Sequence, residues 1–248
     1  MTHPLGCEAL QDILHRGIAP LPDYRPPGPN TRYTIHAAAL GAFGIFFTQS
    51  ASFLEYQRRL QHTKGHNNAH TLLSVEPIPC DNQVRTLLDP IAPRHLDVVF
   101  VEVFASLEQH RMLAHFRCLG DQLLVALDGT NYFSSTAIHC PNCLTRQLSN
   151  GPTLYDHAAI TPVIVCPGQA QVMALPPESL MSQDGHAKQD SDRAAGKRGL
   201  SKHAAQVAPH SVTFLGDDLY RNQPFCALGF QHQCNFIFTC TPDSPPTF

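Results

Sequence analysis

The chain lacks any apolar run long enough to cross a bilayer. Its longest, Ile35 to Phe47 (IHAAALGAFGIFF), contains glycine and falls short of the roughly 20 residues that a spanning helix takes. A secretory leader is missing too, since no basic segment, apolar core and small-residue cleavage site open the sequence. Charge of either sign is scarce: 15% of residues are charged, against roughly 25% in ordinary soluble chains. Nor is there a basic excess. With a formal net charge of -3, no overall field draws the chain to nucleic acid, so any DNA contact must be local. The cysteines number nine and are scattered, which argues against a disulfide framework and for a reducing, cytoplasmic setting without a membrane partner. No internal repeat is present. What is left, at 248 residues and 43% hydrophobic, is a globular chain with enough apolar residues for a core.

Three regions follow from the texture. Residues 1–33 end in the proline-rich run PLPDYRPPGPN, where fixed φ angles and missing amide hydrogens predict an arm. Residues 34–119 read as an all-helical domain. Ile35, Ala38, Ala39, Ala42, Phe46 and Phe47 share a helical stripe, Ser52 can cap a second helix, and Asp81 stands as the N-cap before NQVRTLL. The clearest periodicity is Leu96, Val99, Phe100, Val103, Phe104 and Leu107.

Past Gly120, β-branched and aromatic runs alternate with turn residues, giving strands at 123–133, 159–166, 171–175, 212–215 and 236–239, and helices at about 190–206 and 223–231. Three strands, helix, strand, helix, strand is the element order of an RNase H-like mixed sheet, so residues 120–248 are expected to hold such a core and the whole chain to be α+β or α/β.

Two aspartates stand where carboxylates are costly without a partner. Asp128 follows LLVAL and precedes Gly-Thr, and Asp217 follows VTFLG and precedes Asp218. At the ends of strands in one sheet, their oxygens suit hard ions such as Mg²⁺ or Mn²⁺. A pair of ions about 4 Å apart can activate an attacking oxygen and stabilise a leaving oxygen of a phosphodiester. Taken alone, each is also a common turn or helix-entry residue.

Cys140 and Cys143 form a C-x-x-C pair, with His157 14 residues further on, a thiolate and imidazole set suited to structural Zn²⁺. His139 is a further nitrogen beside them. Two basic stretches are candidates for phosphate contact: Arg58, Arg59 and Lys64, and the helix carrying Arg193, Lys197, Arg198 and Lys202. A solvated helix face gives the same pattern.

From about Ser52 to Asp243 the chain resembles the DDE-type transposases of bacterial insertion sequences. The resemblance is carried by SFLEYQR, IPCDNQVRTLLDP, LLVALDGTNYFSS, IHCPNC, the PPESL to DGHAKQD run, LGDDLY and NFIFTCTPDS. It implies an RNase H-like catalytic core, divalent-metal-dependent DNA cleavage and strand transfer, transposon-end DNA as partner, and a homodimer. In that family the first acid ends the first strand and the second ends the fourth, positions matched by Asp128 and Asp217. Leu219 stands where the family's D-x-G-Y pattern has Gly, which leaves Asp218 as an alternative ligand.

The family's third acid is a Glu on a helix after the fifth strand. No Glu follows Glu178, so the chain reads as truncated before it and is expected to be inactive alone. The alternatives are an RNase H-like nuclease of another kind that uses Glu178, and a non-catalytic, zinc-stabilised DNA-binding module.

Overall fold

Helices in the first half form where apolar residues recur at three- and four-residue intervals. In the computed structural model, residues 5–26, 28, 31–61, 73, 78–149, 151–182, 191–205, 207 and 210–240 are described. The chain divides into two compact units, Met1–Ser106 and Leu107–Phe248, so the division falls inside a helix and not at the expected 119/120.

The region expected as an arm opens with helix α1, Cys7–Ile18, which buries Ile13, Gly17 and Ile18. Leu10, Ile13, Leu14 and Ile18 make a helical stripe that the prolines after it do not disturb. Helix α2, Ile35–Phe47, is capped by Thr34, whose side chain accepts from Ala37 N at 3.0 Å. Helix α3, Phe53–Gln61, is capped as expected by Ser52, whose Oγ accepts from Glu55 N at 3.1 Å.

Asp81 is not the cap of α4, Asp81–Leu88. Cys80 takes that position with extended backbone and no side-chain bond, while Asp81 pairs with Arg85 at 3.1 Å one turn on. A carboxylate in the first turn still meets the positive end of the helix. A 3-10 turn, Pro93–Leu96, leads into α5, Asp97–Gln109. The core of this unit gathers Ile18 with Ala39, Leu40 and Leu73, then Ile35 with Ala38 and Leu87, and Tyr56 with Leu60.

The second unit carries two sheets. A 3-10 turn, Met112–Phe116, precedes β1 (Arg117–Cys118), β2 (Gln122–Ala126), β3 (Gly129–Ser135), β4 (Leu144–Gln147), β5 (Thr153–Ile160), β6 (Val163–Val165), β7 (Met173–Ala174) and β8 (Glu178–Ser179). Helix α6 (Asp192–Ala204), β9 (Val212–Gly216), α7 (Gln223–Gln231) and β10 (Asn235–Phe238) complete it. The larger sheet has the order β10-β9-β2-β6-β7, with β1 paired to the start of β2. β2, β6 and β7 are antiparallel neighbours, and β9 and β10 run parallel to β2 on its other side. With crossover helices before β9 and β10, this is the strand order and sense of the RNase H-like sheet anticipated above. The fold is α+β. β2 is central, and its Leu123, Leu124 and Val125 are all buried because the sheet is covered on both faces.

Both long expected strands are in fact broken. The run 123–133 leaves the larger sheet at Leu127–Asp128 and enters a second, antiparallel sheet, β3-β5-β4 with β8 on β5. The run 159–166 crosses back at Thr161–Pro162, where proline offers no amide for a ladder. The crossing is pinned by Thr161 N donating to Asp128 O at 3.0 Å and Leu127 N donating to Leu215 O at 2.9 Å. β4 was not anticipated because Leu-Thr-Arg-Gln has neither the β-branched density nor the burial of a core strand.

Candidate functional site

The register between β2 and β9 decides where the two aspartates lie. Ala126 pairs with Leu215 in a parallel ladder, and continuing that register by two residues sets Asp128 opposite Asp217. Both leave the same edge of the sheet, at the C-terminal ends of adjacent parallel strands, and both are exposed. Asp217 Oδ1 also accepts from Leu219 N at 3.0 Å, which fixes the turn after β9. Asp218 is differently placed: its Oδ1 lies 2.8 Å from Arg221 Nε, a charge contact without hydrogen-bond alignment.

Beneath these acids lies Tyr220, 2% exposed, whose hydroxyl has no hydrogen-bond partner among the described residues. A buried hydroxyl left unpaired costs roughly 1–3 kcal/mol, so it calls for an explanation. Burial pushes the phenol up, and the charges of Asp192, Asp217 and Asp128 add to the rise in that order. Two glycines let the ring in. A Cβ on Gly196 of α6 would stand 2.6 Å from Tyr220 Cε1, and one on Gly216 of β9 would stand 2.8 Å from Cδ2. Asp192 is the first residue of α6, and in the sequence its only signal is that of an acid following Ser191, whose Oγ caps the helix by accepting from Ala194 N at 3.3 Å.

Glu178 lies on β8, where Arg198 Nε donates to its Oε1 at 2.6 Å and Lys202 Nζ approaches Oε2 at 3.9 Å. Arg198 also donates to Ser179 O at 3.2 Å, and Arg193 Nε to Leu219 O at 3.2 Å. Three of the four basic residues expected to face DNA from α6 therefore contact their own chain. Lys197 is half-buried on the same helix. In the first unit Arg59 pairs with Glu55 at 3.3 Å on α3, which also carries Arg58, and Lys64 lies outside the described residues.

The Cys-His group converges as its spacing suggested. Cys140 Sγ and Cys143 Sγ lie 3.2 and 3.3 Å from His157 Nε2 and 3.8 Å from each other. Tetrahedral zinc with Zn–S near 2.3 Å and Zn–N near 2.05 Å sets ligand separations of about 3.8 Å for S···S and about 3.5 Å for S···N, close to what is found. Cys140 N donates to Cys143 Sγ at 3.3 Å, a bond that steadies a thiolate. The two cysteines lie in the connection between β3 and β4, which is a crossover and not the expected hairpin because β5 stands between those strands, and His157 comes from β5, so the group ties the crossover to the central strand. His139 turns away and stacks on Tyr155 with ring centroids 4.4 Å apart. Burial pushes the Cys143 thiol up, a rise that the Cys140 amide partly offsets, so metal must displace a proton there.

Asp156, next to His157, was not foreseen. It is 7% exposed and accepts from Ser134 Oγ at 2.5 Å and from Asn131 Nδ2 at 3.2 Å, with Arg146 3.9 Å away. The Ser134 bond leads in holding its carboxyl below the usual range, with the Asn131 bond and the Arg146 charge adding to it against the opposing effect of burial.

No helix among the described residues is long and apolar enough to cross a membrane. No protein-family model matches the sequence, and no curated protein matches it. Among solved structures, a cryo-EM structure of a piggyBac transposase synaptic complex with hairpin DNA aligns with a TM-score of 0.41 at 14% identity. The alignment covers 98% of this chain and 52% of that one, so the chain spans about half of that protein's length.

Proposed function

We propose that this chain is a DNA-processing protein of the transposase kind, in which Asp128 and Asp217 hold divalent metal for phosphodiester cleavage and transfer. The observation that supports this reading most directly is the β2–β9 register, whose continuation brings Asp128 and Asp217 to one edge of the sheet at the ends of neighbouring strands. Oxygen-only donors fit Mg²⁺ or Mn²⁺, and such ions when bound activate the attacking oxygen and neutralise the leaving one. The chain's own part is to fix the carboxylates on rigid strands and to order the following turn through Leu219 N. In the same reading Cys140, Cys143 and His157 hold a structural Zn²⁺, transposon-end DNA is the substrate, and Arg58, Arg59, Lys64 and Lys197 supply phosphate contacts.

The test is a titration of the purified chain with Mn²⁺, followed by electron paramagnetic resonance of the free ion, alongside duplex-DNA binding by fluorescence anisotropy. Mn²⁺ binding is expected in the native chain and lost in Asp128→Asn and Asp217→Asn, with Asp121→Asn as the unaffected control. A cooperatively folded native chain that binds no Mn²⁺ at millimolar concentration refutes the reading.

A further inference from the structure

We propose that Asp192 is a third carboxylate of this site, and that Asp128, Asp217 and Asp192 together take a hard divalent cation of the Mg²⁺ or Mn²⁺ type. The proposal rests on the reading of Asp128 and Asp217 given above and extends it to a residue on a different element.

Three observations place Asp192 there. Its Oδ2 lies 3.2 Å, and its Oδ1 3.6 Å, from where a Cβ on Gly129 would stand, so the carboxylate lies against the backbone of the residue that follows Asp128. Its neighbour Arg193 donates through Nε to Leu219 O at 3.2 Å, two residues past Asp217, which ties the start of α6 to the turn after β9. Between these elements stands Tyr220, its ring pressed on Gly196 and Gly216 and its hydroxyl within the field of Asp192, Asp217 and Asp128.

Tyr220 makes this more than a gathering of acids. Its hydroxyl is a buried donor on a residue only 2% exposed, and no described side chain or backbone atom accepts from it. A buried donor on a ring packed between the start of α6 and the end of β9, the elements that carry Asp192 and Asp217, suits a ligand oxygen. Gly129 has a role on this account. The absence of a side chain lets the Asp192 carboxylate approach the strand end, where any Cβ would press on Oδ2.

The site thus draws its acids from the ends of β2 and β9 and the first turn of α6. All three come from regular elements or their immediate ends, which favours a fixed geometry.

The experiment is Mn²⁺ titration of the full chain, by the same resonance method, for the native protein, Asp192→Asn, Asp192→Glu and Asp121→Asn. Thermal melting of each verifies folding. Loss of a supporting group at a metal site typically costs tenfold or more in affinity, so Asp192→Asn is expected to weaken Mn²⁺ binding by about tenfold at least. Asp192→Glu, which keeps the charge, is expected to restore part of it, and Asp121→Asn to match the native chain. If Asp128→Asn abolishes binding while folded Asp192→Asn binds as the native chain does, the third carboxylate is overturned and the two-aspartate reading stands. If the folded native chain binds no Mn²⁺, both fall. Should Asp192→Asn fail to fold, Gly129→Val supplies the second route, since it displaces Asp192 from the strand end without changing charge; native affinity in that variant overturns the proposal.

Discussion

Emptying the Cys140–Cys143–His157 group, which could hold zinc, is the sharpest perturbation available. Cys143 and His157 are separated by 14 positions, and Cys140 and His157 by 17. A bound metal therefore closes a loop of that size in the unfolded chain. By the chain-entropy relation for a covalent cross-link, a loop of about 15 residues contributes roughly 3 kcal/mol, the order expected of a clip that holds in both states.

The unit that carries it runs from Leu107 to Phe248. For a domain of this size each kcal/mol moves the melting temperature by about 3–4 °C, so loss of the clip is expected to lower Tm by about 10 °C. The assay compares the full chain purified with zinc, the same protein after a tight chelator, and the variants Cys143→Ser and His157→Ala. Metal analysis should give zinc bound to the native chain and none to the variants. Cobalt substitution should show a thiolate charge-transfer band that Cys143→Ser removes. A native chain that takes up no zinc, with melting unchanged by chelator and by Cys143→Ser, refutes the reasoning. Tightly bound zinc with an unchanged Tm refutes the magnitude.

Other expectations follow from the same geometry. Asp156→Ala strips two hydrogen bonds from a buried carboxylate and should destabilise the chain by about 2 kcal/mol in urea unfolding. Because that carboxyl is held below its usual range, its contribution is present above the unfolded value near 3.9 and disappears as pH falls through the lower folded value. Acid titration of zinc-free protein should show a stability loss in that window which Asp156→Asn lacks. Tyr220→Phe removes a buried, unpartnered hydroxyl and should leave the metal-free chain unchanged or more stable by about 1 kcal/mol, measured by thermal melting. Asn222 caps α7 by accepting from Phe225 N at 3.1 Å, so Asn222→Ala should cost about 1 kcal/mol by the same measurement.

Much of this molecule was legible from local pattern. Helix 223–231 was read to the residue, because Asn222 and Pro224 mark its start and the polar turn His232–Gln233 its end. The strands at 212–215 and 236–239 were found within a residue or so, since both show as dense β-branched and aromatic runs, the first buried and the second a half-exposed edge. The Cys140, Cys143 and His157 group was visible because C-x-x-C is a short-range signal, although the distant histidine needed β5 to bring it home. What stayed hidden depends on long-range placement. Asp192 reads as an ordinary helix-entry acid until α6 is docked beside Gly129. Asp156 reads as a polar strand residue until β3 supplies Ser134 and Asn131. The break at Asp128 was marked only by an Asp-Gly turn signal, which local pattern cannot tell from a strand that simply ends there.

That break has a mechanical consequence. The chain passes between the two sheets twice at one place, outward through Leu127–Asp128 and back through Thr161–Pro162, and the two passages are tied by the bond from Thr161 N to Asp128 O. The chain crosses again from β7 to β8, and from β8 through α6 to β9, so the smaller sheet is held at several points, and the pinned pair grips the peptide of Asp128 from both sheets at once. A metal held by Cys140, Cys143 and His157 would tie the 136–143 connection to β5, the strand that ends at the bond to that peptide, and so would stiffen the position of Asp128 without touching it.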